Sequence, residues 1–168
     1  SPDGKIAYVS IEDDNVLAAY DIASRKPLFQ VPTGKEPEGV LVTPDGQFAY
    51  VTSEAADAVY LIDLARQKIA KTIKTGKRPR RLVLLAEARE LWVSNELEAS
   101  VSVIDTATQQ VKHKIALTVA GVPATDVTPV GLAASPDGTS VWVALGRANR
   151  VARISTADKV VTHQVPVG

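Results

Sequence analysis

No cysteine and no methionine occur anywhere in the chain. The lack of cysteine excludes a disulfide framework and thiolate metal sites, and it leaves the redox compartment open. Aromatic residues make up only 5% of the sequence, so the core has to be built mainly from small aliphatic side chains. No stretch approaches the roughly 18 apolar residues of a membrane-crossing helix. No signal peptide is visible, and a segment from inside a longer chain would carry none. Neither sign of charge dominates, with 19 Lys and Arg against 19 Asp and Glu. The nucleophile elbow, the phosphate loop and the HExxH type of metal motif are all missing. What the chain does have is repetition.

The phrase SPDG, TPDG, SPDG begins at Ser1, Thr43 and Ser135. It divides the sequence into repeats 1–42, 43–84, 85–134 and 135–168, the third having AEARE in place of its PDG turn. Four columns align across these repeats. One reads KIAYVS, QFAYVT, RELWVS and TSVWVA, with Tyr8, Tyr50, Trp92 and Trp142 in register. The next reads VLAAYD, VYLID, VSVID and RVARIS, ending at Asp21, Asp63, Asp105 and Ser155. A third contains KPLFQVPTG and KIAKTIKTG, and a fourth contains EPEGVLV, RPRRLVL and TPVGLAA. Each segment is short, rich in Val, Ile, Tyr and Thr, and bounded by Gly, Pro, Asp or Asn, which is how strands and turns read. A helical repeat of this length would need long stretches of 3.6-residue periodicity, and breakers arrive too often for that.

Four short strands in about 40 residues describe a propeller blade. The expected fold is therefore all-β, a β-propeller arc of about four blades, each a four-stranded antiparallel meander, in a single domain spanning 1–168. Lysines punctuate the third column at Lys68, Lys71, Lys74, Lys112 and Lys114. Lysine discourages pairing at a sheet edge, so this column reads as the outer rim. The order from axis to rim is then GVLV, AYVS, VYLID and KIAKTI. The first blade has three strands and the others four, so the chain reads as part of a longer propeller, the alternative being an arc completed by another copy.

The neutral net charge conceals an uneven distribution. Residues 66–81 carry Arg66, Lys68, Lys71, Lys74, Lys77, Arg78, Arg80 and Arg81 with no acid. Such a run suits an acidic partner or polyanion, or it is simply a guarded rim followed by a basic loop. It has no interleaved aromatics for stacking bases, so no nucleic acid is expected. Meander topology puts the PDG turns and the turns after Asp21, Asp63 and Asp105 on one face. The loops that vary in length and charge lie on the other, which is where function is expected. The candidate partner- or anion-binding residues there are Arg78, Arg80, Arg81, Glu36, Glu38, Asp126 and Arg147. Arg81 stands where other repeats have Gly39 and Gly131, a place from which it either reaches the channel or pairs with Glu36 and Glu38. Asp126 lies in the inserted TVAGVPATDVTPV, which either touches a partner or is merely a longer loop. The Asp column reads as turn-capping, and His113 and His163 as exposed rim residues. No catalytic residue, cofactor-binding residue or metal ligand is assigned, and no cofactor is expected.

The columns AYVT, WVSN, VSVID and TIKTG, together with the PDG turn, resemble the YVTN family of β-propellers over the whole chain. A narrower likeness rests on VAGVPATDVTPVGLAASPDG followed by VWVALGRANRVARIS, which resembles propeller proteins associated with PQQ-dependent alcohol catabolism in bacteria. The resemblance implies a seven-bladed ring and export to the periplasm. It also implies a non-catalytic binding or scaffold role in a quinoprotein system, with a protein partner on the variable-loop face. The alternative is a propeller enzyme, either a quinoprotein dehydrogenase or a lactonase-like hydrolase. For the dehydrogenase, ASPDGTSVW ending at Trp142 only superficially matches the tryptophan docking motifs. The asparagine of the YVTN phrase survives only at Asn95.

Overall fold

The computed structural model describes residues 1–85 and 89–168. The loss of the PDG turn in the third repeat falls on AEARE, of which residues 86–88 lie outside the described residues. Among the described residues, fifteen strands follow one another. The first sheet is β1 (Ile6–Ile11), β2 (Val16–Asp21) and β3 (Pro27–Pro32). The second is β4 (Pro37–Val42), β5 (Phe48–Ser53), β6 (Ala58–Asp63) and β7 (Lys68–Lys74). The third is β8 (Pro79–Leu84), β9 (Glu90–Asn95), β10 (Ser100–Asp105) and β11 (Gln110–Ala116). The fourth is β12 (Pro129–Ala134), β13 (Ser140–Leu145), β14 (Arg150–Ser155) and β15 (Val161–Pro166). Every pairing is antiparallel between neighbours in the chain, so each sheet is a meander. The strands β4, β8 and β12 pack side by side at the centre, while the outer strands splay apart. This is the β-propeller arrangement, in the strand order the lysine column implied.

The core lies between sheets, not within any one of them. Leu17 and Val31 of the first sheet meet Ala49, Val51 and Ile62 of the second. Tyr50, Val59, Leu61 and Ile73 meet Leu91, Val93 and Ile104 of the third. Trp92, Val101 and Val103 then meet Val141, Val143, Ala152 and Ile154 of the fourth. Both faces of the middle strands in the second and third sheets are consequently apolar, because each is covered by a neighbouring blade. The inserted loop joins this core: Leu117, Val119 and Val127 are buried, and a short 3-10 turn covers Ala124–Asp126.

Two local devices recur. In the PDG turns, Asp45 Oδ1 accepts bonds from Thr43 Oγ1 at 2.5 Å and from the Gln47 N–H at 3.0 Å. Gly46 there adopts φ 69°, a conformation that a side chain would strain. In the turns after the second column, Asp21, Asp63 and Asp105 accept from their own backbone at Ser24, Arg66 and Thr108, as their spacing suggested. Hydrogen bonds hold these carboxyls below the usual aspartate range: from the Ser24 hydroxyl and N–H at Asp21, from the Arg66 N–H and guanidinium at Asp63, and from Lys112 and then the Thr108 N–H at Asp105.

Hydroxyls stitch adjacent blades. Ser10, Thr52 and Ser94 occupy one column, and each donates to a carbonyl on the innermost strand of the next blade: Glu38 at 2.6 Å, Arg80 at 2.9 Å and Val130 at 2.7 Å. Thr52 Oγ1 also accepts from the Gly39 N–H at 2.7 Å. The register of β4 on β5 shifts at this place. Gly39 sits so close to the next blade that a Cβ would run into the Arg80 carbonyl, which explains the glycine.

Candidate functional site

The charged residues converge where the second and third blades meet on the variable-loop face. Two columns build the arrangement. Glu12, Glu54 and Glu96 each follow the strand that carries the aromatic column, and Glu38 and Arg80 occupy one position on successive innermost strands. Arg80 therefore lies between Glu54 of the preceding blade and Glu96 of its own. Its Nε is 3.3 Å from Glu54 Oε1, its NH1 is 3.0 Å from Glu96 Oε2, and its NH2 is 2.9 Å from Glu38 Oε2. Arg81 NH1 is 2.8 Å from Glu38 Oε1. Arg78 Nε lies 2.6 Å from Glu54 Oε2 and 3.2 Å from Glu96 Oε2. Arg78 also has φ 54°, and its N–H donates to Asp57 Oδ1 at 2.9 Å, so its backbone is pinned by a neighbouring loop.

Glu38, Glu54, Arg78, Arg80 and Arg81, with Ser10, Glu12 and Pro37, line a polar cleft of about 340 Å³. Glu54 is its floor and is only 4% exposed. Glu54 Oε1 is buried and accepts no hydrogen bond among the described residues, so the Arg80 contact is an ion pair of poor hydrogen-bond geometry. Burial pushes the Glu54 carboxyl up to about 7, with Glu38 adding to the rise and Arg80 and Arg78 opposing it. Burial would raise Glu38 too, but a hydrogen bond with Glu54 and the cations Arg80 and Arg81 hold it below the usual glutamate range. The two carboxyls thus share one proton more readily than they hold two negative charges.

A pH dependence follows. Folded Glu54 keeps its proton up to about pH 7, whereas unfolded glutamate releases it near 4.3. The unfolded state therefore binds fewer protons across this window, and stability falls as pH rises through it, then levels above pH 7. Glu54→Gln is expected to remove that slope, raising the melting temperature over that of the unsubstituted protein more at pH 8 than at pH 5. Thermal melts at both pH values check it; a slope unchanged by the substitution would assign the dependence to another group.

Of the residues singled out in the sequence, Arg78, Arg80, Arg81 and Glu38 meet here. Glu36 does not join them: its N–H donates to Asn15 Oδ1 at 3.1 Å, and its side chain is exposed beside Lys77 and Asp57. Asp126 and Arg147 form a separate exposed pair, 3.6 Å apart, on the fourth blade. The Arg147 N–H is fixed by Thr128 Oγ1 at 2.8 Å, the last polar residue of the insertion. Glu54 and Glu96 are the members that sequence reasoning missed. Their signal was present as the glutamate column after the second strand.

The opposite face carries a more apolar hollow of about 390 Å³, lined by Pro44, Phe48, Tyr50, Leu61, Leu84 and Gln109 among others. There Gln109 Nε2 donates to Tyr50 Oη at 2.9 Å across the blade seam. One blade on, Trp92 takes the place of Tyr50 and Lys159 that of Gln109. Lys159 Nζ lies 5.0 Å from the centre of the Trp92 ring, and both Lys159 Nζ and Trp92 Nε1 donate to Glu90 Oε2. Tyr50 and Trp92 of the aromatic column thus fasten blade to blade, while Trp142 is 37% exposed.

A family profile described as YNCE-like beta-propeller matches residues 2–168. The fold is also similar to a solved structure titled Kuenenia stuttgartiensis Hydrazine Synthase. The TM-score is 0.88 at 26% sequence identity over 98% of this chain, which spans 46% of the length of that one. No curated protein matches the chain.

Proposed function

The chain belongs to the YNCE-like β-propeller family, and on that premise we propose that it is a non-catalytic binding or scaffold propeller. Its variable-loop face engages a protein partner, in the periplasm, in support of PQQ-dependent alcohol catabolism. The observation that carries the partner reading is the division of labour among the charges on this face. Arg80 is held by three carboxylates and shapes the cleft. Arg81 at the cleft, 49% exposed along its side chain, and Arg147 on the fourth blade, 73% exposed, are open to an incoming surface. Half-exposed charges of this kind select partners and steer their approach. The periplasmic and quinoprotein assignments are supported by the likeness of the insertion and the segment after it. PQQ belongs, on this reading, to the partner system, and no residue of this chain is assigned to hold it.

The reading predicts that Arg81→Glu/Arg147→Glu weakens partner retention about tenfold at low salt, an effect of the size that rim charges exert on association. Lys5→Glu, on the opposite face, leaves retention unchanged. Quantitative pull-down with the full chain checks this, and equal retention by both variants would remove the loop face from consideration. A second reading, a propeller enzyme, is favoured by the likeness to a protein titled a synthase. Dye-linked dehydrogenase turnover on addition of PQQ would put that reading in place of the first.

A further inference from the structure

The rim of the propeller carries charge of one sign. The four outermost strands, β3, β7, β11 and β15, contain Lys68, Lys71, Lys74, Lys112 and Lys114 and no Asp or Glu. Three of these lysines are occupied. Lys112 pairs with Asp105, Lys114 Nζ lies 2.7 Å from Glu98 Oε1, and Lys74 Nζ donates to the Ala56 carbonyl at 2.8 Å. Lys68 and Lys71 are exposed and have no ion pair or hydrogen bond among the described residues.

The pairing register brings these two lysines together. Lys68 lies opposite Asp63 and Lys71 opposite Leu61, because the register shift between Leu61 and Ile62 leaves Ala70 as an extra residue on β7. Without that bulge, residues three apart would sit on opposite faces of the strand. With it, Lys68 and Lys71 share the face that carries Leu61 and Ile73, which pack against the third blade. Their partners on β6 are two residues apart, so the lysines repeat at about 7 Å along the strand. Beside them β7 is the last strand of its sheet, with its outer backbone edge unpaired. Lysines at such an edge repel another basic edge, including the rim of a second copy. The same charges attract a strand of opposite sign, whose alternate side chains also repeat at about 7 Å.

We propose that β7 is a docking strip for an extended acidic segment of a partner protein, with carboxylates at alternate positions pairing with Lys68 and Lys71. This strip is distinct from the loop face, and its test is independent of that reading. The probe is a labelled peptide of about twelve residues alternating glutamate and threonine, long enough to cover the strand, titrated against the full chain and followed by fluorescence anisotropy. Saturable binding that weakens as salt is raised is expected. Lys68→Glu/Lys71→Glu is expected to weaken it at least about tenfold, while Lys5→Glu/Lys35→Glu, an equal change in net charge elsewhere, leaves it intact. A peptide of the same composition with its glutamates in one block is expected to bind more weakly. Lys68→Gln/Lys71→Gln serves in place of the reversal if melting shows the latter to be unfolded. The proposal is overturned if the two double variants lose binding equally, if the block peptide binds as well as the alternating one, or if the peptide does not bind. Binding of a heparin oligosaccharide or phosphatidylserine vesicles, without the peptide, overturns it in favour of a different polyanion.

Discussion

Trp92→Ala is expected to destabilise the protein by about 3–5 kcal/mol, the range for deleting a fully buried large aromatic side chain. Trp92 is 0% exposed and lies in the buried layer between the third and fourth blades that also holds Val141 and Val143. Its removal opens a void that neighbouring sheets cannot close without bending. It also releases Glu90 and Lys159 from the indole, both of which it holds at the seam. Trp92→Phe keeps most of the volume and gives up the Nε1 bond to Glu90, for which a loss of about 1 kcal/mol is expected. Denaturant melts of the two variants separate packing from the polar fastening. Equal losses would mean that the hydrogen bond and not the packing carries the seam.

Arg80→Ala is expected to cost about 3 kcal/mol at pH 8, since removing one partner of a buried ionic cluster leaves the others uncompensated. Glu38, Glu54 and Glu96 all lose a cation, although Glu54 and Glu96 keep Arg78 and Glu38 keeps Arg81. Without Arg80 opposing its rise, the Glu54 carboxyl moves further up, so the damage should shrink at pH 5, where a protonated Glu54 needs no partner. Arg80→Ala/Glu54→Gln should be more stable at pH 8 than Arg80→Ala alone, a coupling expected of side chains in contact. Thermal melts of both variants at the two pH values test this. The same loss at pH 5 and pH 8, with no rescue in the double variant, would show that Arg80 acts through its alkyl chain and not its charge.

The strands were legible because their signals are local. The alternation of apolar residues, the turn residues and the spacing of the PDG phrases located all fifteen described strands and the order of each sheet. The aspartate column was legible for the same reason, each carboxylate bonding backbone within three residues of itself. The inserted loop was not. Leu117, Val119 and Val127 show no periodicity that distinguishes a buried excursion from a solvated one, and only the neighbouring blade covers them. The bulge opposite Leu61 and Ile62 was equally hidden, and with it the shared face of Lys68 and Lys71.

At the charged cleft, residue identities and repeat positions were in the sequence, but the partnerships were not. Glu36 and Glu38 were equivalent choices for Arg81 when read in one dimension. The turn at Glu36, with φ 55°, carries that side chain away, while β4 holds Glu38 beside Arg80 and Arg81. Arg80 reaches Glu38 across 42 residues, one repeat length.

The sequence by itself determined the repeat, the strands, the rim and the face on which charge gathers, because these follow from short-range periodicity and turn chemistry. The tertiary structure alone decided which charges meet, why Glu54 holds its proton, and which lysines stay unpaired. Those outcomes depend on how adjacent blades oppose their columns, and on burial, which no residue possesses until its neighbour in space has covered it.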